Sequence, residues 1–193
     1  MTTVLLTGFE PFGTATSNPS GEIVKQISGD NIVTAILPVA YAGSAERLLA
    51  LIAEHNPDVV ICLGQAEGRT HITPEKVAIN LDDARLADNS GVTRSDMKIL
   101  ADGPDAYFST LPVKEIVEAI KAAGVPAAVS LSAGAFLCNH VFYVAQNKFA
   151  GTKIRSGFVH VPLMDEQAGE FPGLPTMPLD QMVKAVRTML EVL

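Results

Sequence analysis

Short apolar runs alternate along the chain with stretches in which apolar positions return every third or fourth residue. This is the signature of buried strands interleaved with amphipathic helices. Strands are predicted over residues 3–6, 32–37, 59–63, 127–131 and 158–161, and helices over 20–27, 45–55, 113–122, 138–147 and 179–193. Asn18 followed by Pro19 reads as an N-cap with proline at the first helical position. Asn56-Pro57 and Gly124 with Pro126 mark helix ends. A further strand is predicted over 77–81. Only ten residues separate Gly64 from Glu75, whereas a parallel crossover takes about a dozen or more. An antiparallel return is therefore expected, with the start of this strand beside the end of the 59–63 strand. Residues 82–104 are polar and read as a long, mobile loop. The alternation predicts one three-layer α/β/α domain over residues 1–193, built on a mostly parallel, partly mixed twisted sheet. Ligands in such folds gather where the strands reach their carboxyl ends. The loops after Gly8, Gly64, Leu131 and His160 are thus the places for chemistry.

Composition narrows the function classes. Of 193 residues, 48% are apolar and 18% charged, which excludes a disordered chain. The net charge is −7, from 14 basic and 21 acidic side chains without a Lys/Arg cluster. Nucleic acid and anionic membranes are therefore excluded as main partners, and small neutral ligands fit better. No apolar run reaches the roughly 18–20 residues of a membrane helix, and the N-terminus lacks the charged start of a signal peptide. The expected compartment is the cytoplasm, where Cys62 and Cys138 stay thiols.

Phosphate cradles and metal sites fail on their residues. Gly8 to Gly13 has Walker-like spacing, but Thr14 and Ala15 stand where Lys and Ser/Thr are needed. There is no GxGxxG and no HExxH, so neither a nucleotide cofactor nor a metal is expected. Cys62, inside an apolar strand, reads as core. Cys138 opens a helix after a loop, and a helix N-terminus favours a thiolate; a packed structural thiol is the alternative. A nucleophilic cysteine wants a histidine in hydrogen-bond reach. His140, two positions along the same helix, does not face it and is expected to pack or face solvent. His55 and His71 read as exposed. His160, near the end of the last strand, is the best partner. Glu75 falls at the same sheet edge as the group that would orient the imidazole, with Asp82, Asp83 and Glu10 as competitors. Three readings remain at this point: a peptidase, a Cys-dependent amidase for another acyl group, or a small-molecule-binding module without catalysis.

A set of motifs then resembles one family. These are Leu6-Thr7-Gly8-Phe9-Glu10-Pro11-Phe12-Gly13 with Asn18-Pro19-Ser20, Gly64-Gln65-Ala66 with Gly68-Arg69, and Ile72-Thr73-Pro74-Glu75 with Val77-Ala78-Ile79-Asn80. Ser132-Ala133-Gly134 leading to Cys138-Asn139, and Gly157-Phe158-Val159-His160-Val161-Pro162, complete it. In this order they resemble the pyroglutamyl peptidase I (pyrrolidone-carboxylate peptidase) family of cysteine peptidases. The resemblance implies a Cys138–His160–Glu75 triad, no metal or cofactor, and peptides with an N-terminal pyroglutamate as substrates. It also implies an acyl pocket from Phe9, Phe12, Asn18, Gln65, Phe136 and Leu137, with Arg85 near the site, and a homo-oligomer, dimer or tetramer. Lys76, Thr14 and Glu67 depart from the family's usual residues.

Overall fold

The computed structural model describes residues 2–193; Met1, the first residue of the expected domain, lies outside them. The elements run β1 (Val4–Phe9), α1 (Pro19–Lys25), β2 (Ile32–Leu37), α2 (Tyr41–His55), β3 (Val59–Gln65), β4 (Thr73–Pro74) and β5 (Val77–Ile79). They continue with β6 (Ala106–Phe108), α3 (Val113–Ala122), α4 (Leu137–Phe149), β7 (Arg155–Val161), β8 (Leu163–Met164), a 3-10 turn (Asp165–Gln167), β9 (Thr176–Met177) and α5 (Leu179–Glu191). The main sheet has the order β2-β1-β3-β7-β4. Its first four strands are parallel and β4 is antiparallel to β7. The fold is thus the mixed α/β architecture that the alternation predicts.

Strand alternation sorts the core into two halves. Val4 and Leu6 of β1, Val59, Ile61 and Leu63 of β3, and Val159 and Val161 of β7 pack with α1, α3 and α5. Leu5 and Phe9, Val60 and Cys62, and Phe158 turn the other way, onto α2 and α4. Helix α1 starts as predicted: Asn18 Oδ1 accepts from Ser20 N at 3.1 Å, with Pro19 at the helix start. β1 extends through Gly8 and Phe9, which the sequence reads as loop. A Cβ on Gly8 would lie 2.3 Å from the Ser20 carbonyl oxygen, so glycine is what lets α1 press against this strand.

Two expectations need correction. The antiparallel return is β4, not a strand over 77–81, and it pairs with β7, while β3 has β7 as its neighbour. β5 lies apart, in a two-stranded sheet with β6. The segment over 127–131 runs parallel to 72–76 through Ile72 N–Pro126 O, Ala128 N–Ile72 O, Ser130 N–Pro74 O and Lys76 N–Ser130 O bonds. It forms only isolated bridges, because Pro74 has no N–H to continue the ladder.

Residues 82–104 are also better anchored than a mobile loop. Asp88, buried at 6% exposure, accepts from the backbone N–H of Tyr41, Ser90 and Val92. Asp82, fully buried, exchanges backbone bonds with Met97. Polar composition here reflects side chains that satisfy buried backbone, not a solvated tether.

Candidate active site

Gly64 of β3 and His160 of β7 are register partners at the carboxyl ends of adjacent parallel strands. Alternation puts both on the α4 side of the sheet, with Cys62 and Phe158 behind them. The start of α4 comes down on this spot. Cys138 is its second residue, and its first turn is clamped by Asn139, whose Oδ1 accepts from Ile79 N and whose Nδ2 donates to the Ile79 and Leu81 carbonyls, each at 2.9 Å. A Cβ on Gly64 would lie 2.8 Å from Cys138 Sγ and 2.7 Å from Phe158 Cζ. Absence of a side chain at 64 is therefore what admits the sulfur.

Glu75 follows β4 directly, its N–H donating to the Phe158 carbonyl at 2.8 Å. Its carboxyl group is fully buried. Oε1 lies 2.7 Å from His160 Nδ1 and accepts from Arg69 Nη1 at 2.7 Å. Arg69 is held in turn by Thr73 Oγ1 and by the Ser132 carbonyl, to which Nη2 donates at 3.0 Å. A carboxylate only accepts, so the imidazole carries its proton on Nδ1 and leaves Nε2 with its lone pair.

The electrostatics differ from the simple helix-start argument. Burial pushes the Cys138 thiol up to about 12, the Glu75 charge adding to it and Arg69 opposing. Burial also holds the His160 imidazole below its ordinary value, outweighing the Glu75 hydrogen bond and charge, while Arg69 lowers it further. Desolvation thus wins over the dipole of α4. Burial thus disfavours the charged form of both the thiol and the imidazole.

Cys138 borders a pocket lined by Phe9, Phe12, Asn18, Val39, Gln65, Phe136 and Leu137. Its empty volume is about 340 Å³ with open solvent included. The Phe12 and Phe136 rings stand 6.4 Å apart, and Tyr41 backs Phe136 edge-on at 5.7 Å. All six acyl-pocket residues of the sequence reading line this space; Arg85 is exposed and is not part of the lining. Asn18 is committed elsewhere, its Oδ1 to Ser20 and its Nδ2 to the Glu10 carbonyl. Gln65 is not: its Nε2 is buried without a hydrogen-bond partner, while its Oε1 accepts from Gln167 Nε2 at 3.0 Å.

His140 is buried and packs, as one of its two expected outcomes, with Nδ1 2.9 Å from Asp82 Oδ2. His71 is exposed and His55 half-buried. Among the described residues no three His, Cys, Asp or Glu side chains gather to hold a metal ion, and no helix is long and apolar enough to cross a membrane. Glu67 is exposed, and the Lys76 ammonium sits 5.6 Å from the centroid of the Phe108 ring. Nothing in the sequence points to Val39, to Gln167 or to the contact of Arg69 with Glu75. Arg69 stands out only as part of the Gly68-Arg69 motif, and Gln167 leaves no signal in its polar surroundings.

A buried imidazole–carboxylate pair, a cysteine at a helix start and a small apolar pocket beside it mark a cysteine-type hydrolase. A family model described as pyroglutamyl peptidase matches residues 2–193. The chain is 49% identical to the pyrrolidone-carboxylate peptidase of Cupriavidus pinatubonensis, over 97% of this chain and 90% of that one. It is 48% identical to that of Vibrio vulnificus, over 98% and 92%. The crystal structure of pyroglutamyl peptidase I from Bacillus amyloliquefaciens superposes with a TM-score of 0.96 at 43% identity, covering 100% of this chain and 96% of the other. A mutant pyrrolidone carboxyl peptidase from Pyrococcus furiosus follows at 0.91 and 38%, covering 98% and 97%. The chain belongs to the pyroglutamyl peptidase family.

Proposed function

We propose that Cys138, His160 and Glu75 carry out this family's reaction here, hydrolysing the amide bond that follows an N-terminal pyroglutamyl residue of a peptide. The observation that carries the reading is the 2.7 Å contact of His160 Nδ1 with buried Glu75, on the strand position opposite the glycine against which Cys138 Sγ rests.

The pyroglutamyl group is a flat, uncharged lactam, without the cation an ordinary aminopeptidase would grip. Phe9, Phe12 and Phe136 supply apolar walls for its ring, and the unpartnered Gln65 Nε2 supplies a donor for its ring carbonyl. As Cys138 Sγ attacks the acyl carbonyl, its proton passes to His160 Nε2. The oxyanion meets backbone N–H groups at the start of α4, which have no acceptor within the helix. The C–N bond breaks, the leaving amine takes the proton from Nε2, and a thioester remains. Water then attacks the thioester; its proton goes to Nε2 and on to the departing sulfur. Glu75 holds the imidazole in the tautomer this needs and stabilises the imidazolium. Burial disfavours the charged forms of both groups, and in this reading His160 takes the proton as a general base while the sulfur attacks.

The test is release of a fluorophore from pyroglutamyl, prolyl and alanyl amides by the wild type and by Cys138→Ala. Selective cleavage of the pyroglutamyl amide that vanishes in the variant is expected. Persistent cleavage by Cys138→Ala would overturn the assignment of the nucleophile.

A further inference from the structure

Gln167 lies on the 3-10 turn after β8, fully buried, and every polar valence of its amide that faces protein is spoken for. Oε1 accepts from the Met164 backbone N–H at 3.1 Å. Nε2 donates to the Ser17 carbonyl at 3.2 Å and to Gln65 Oε1 at 3.0 Å. A side-chain amide can be turned over without changing its shape, so its orientation is decided by partners of fixed polarity. Here the backbone supplies both: an N–H that only donates at one end and a C=O that only accepts at the other. Gln167 therefore has one allowed orientation and must offer an N–H to Gln65. Gln65 must answer with its oxygen, which sends its own Nε2 away from Gln167. That Nε2 is the buried atom left without a partner beside the pocket.

We propose that Gln167 is a positioning residue that fixes the polarity of the acyl pocket, compelling Gln65 to present a donor and so selecting an acyl ring that carries a carbonyl acceptor. The inference rests on the pyroglutamyl reading above and adds the residue that enforces its selectivity. A prolyl ring, which lacks the lactam carbonyl, leaves the Gln65 Nε2 unsatisfied in a desolvated place, and such sites discriminate strongly against the analogue lacking the matching group. With Gln167 removed, Gln65 can turn over and offer an oxygen, which repels the lactam carbonyl.

The test is a double-mutant cycle on Gln65→Leu and Gln167→Met, with kcat and KM measured on pyroglutamyl and prolyl coumarin amides. Gln167→Met alone is expected to raise KM for the pyroglutamyl amide by about tenfold, the worth of one hydrogen bond to a buried group, with kcat within about twofold. In the Gln65→Leu background the same substitution should change KM no further, because its effect runs through Gln65. Gln167→Glu keeps the acceptor for Met164 but presents an acceptor to Gln65, so Gln65 turns its Nε2 to the new carboxylate; KM should rise again and preference over the prolyl amide fall. This second variant carries the test should Gln167→Met not fold. An additive cycle, or a fall in kcat for both amides with KM and preference unchanged, would mean a purely structural glutamine and overturn the proposal. A wild type that leaves the pyroglutamyl amide intact would instead overturn the functional reading on which it stands.

Discussion

Two histidine clusters in this chain are nearly copies of one another. His160 Nδ1 lies 2.7 Å from Glu75, to which Arg69 donates at 2.7 Å; His140 Nδ1 lies 2.9 Å from Asp82, to which Arg94 donates at 2.6 Å. Exposure does not separate them either, since both carboxylates are at 0% and both arginine side chains at 25%. What differs is the far side of the imidazole. His160 stands across from Gly64, where the Cys138 sulfur and the acyl pocket meet. His140 meets the Tyr41 ring edge-on at 5.5 Å, and Arg94 covers the same ring at 4.4 Å. On the mechanism proposed above, the same trio of groups serves as a catalytic base in one place and as a fastener in the other. A histidine paired with a buried carboxylate is thus not in itself a mark of catalysis.

The sharpest way to break this comparison is to remove each imidazole. His160→Ala should lower kcat by on the order of 10⁴-fold or more, as loss of one member of a catalytic unit does. His140→Ala should keep kcat within a few-fold and instead cost about 1–3 kcal/mol in urea unfolding, through the lost buried hydrogen bond. Equal losses of kcat would erase the distinction.

The carboxylates come next. Glu75→Gln should lower kcat by about 10²–10⁴-fold, since the wrong imidazole tautomer becomes available. Its pH dependence has a definite sign. The base must be neutral, and burial already holds His160 below its ordinary value, so the acid limb of kcat/KM in the wild type falls below about 6.5. Glu75 opposes that lowering, so its neutralisation moves the limb lower still. Asp82→Asn should leave the limb where it is.

The smallest effect distinguishes the arginines. Arg69 lowers the His160 value, so Arg69→Met should move the acid limb upward with a modest loss of rate. Arg94→Met should leave the limb unmoved and lower the unfolding midpoint, because buried Asp82 loses a charged partner. A limb that moves with Arg94 rather than Arg69 would reverse the two roles.

The parts of this arrangement readable from the chain are those that leave a period. Strands β1, β3 and β7 betray themselves by apolar runs, and their alternation carries His160 to the correct face. The Asn18-Pro19 helix start is local chemistry and was legible for the same reason. β4 is two residues long and leaves no period, so sequence alone puts the return strand a few positions late and beside the wrong neighbour, while still bringing Glu75 to that edge. Asp82 and Asp88 look in sequence like any solvated acid; only long-range packing reveals that they bind backbone and an imidazole. Gln167 meets Gln65 across 102 positions of chain, a proximity that neither residue's neighbours announce. The rise of the Cys138 thiol was illegible because enclosure, unlike a helix start, is not written locally.

The pairing of Gly64 with His160 across β3 and β7 has a bearing on which lengths of chain this architecture tolerates. Insertion or deletion of one residue within β7 would carry the imidazole to the opposite face of the sheet, among α1, α3 and α5, where the core holds no cysteine. The turns at 29–31 and 150–152 lie outside that register, so relatives of differing size are free to gain or lose residues there while the two strands keep count.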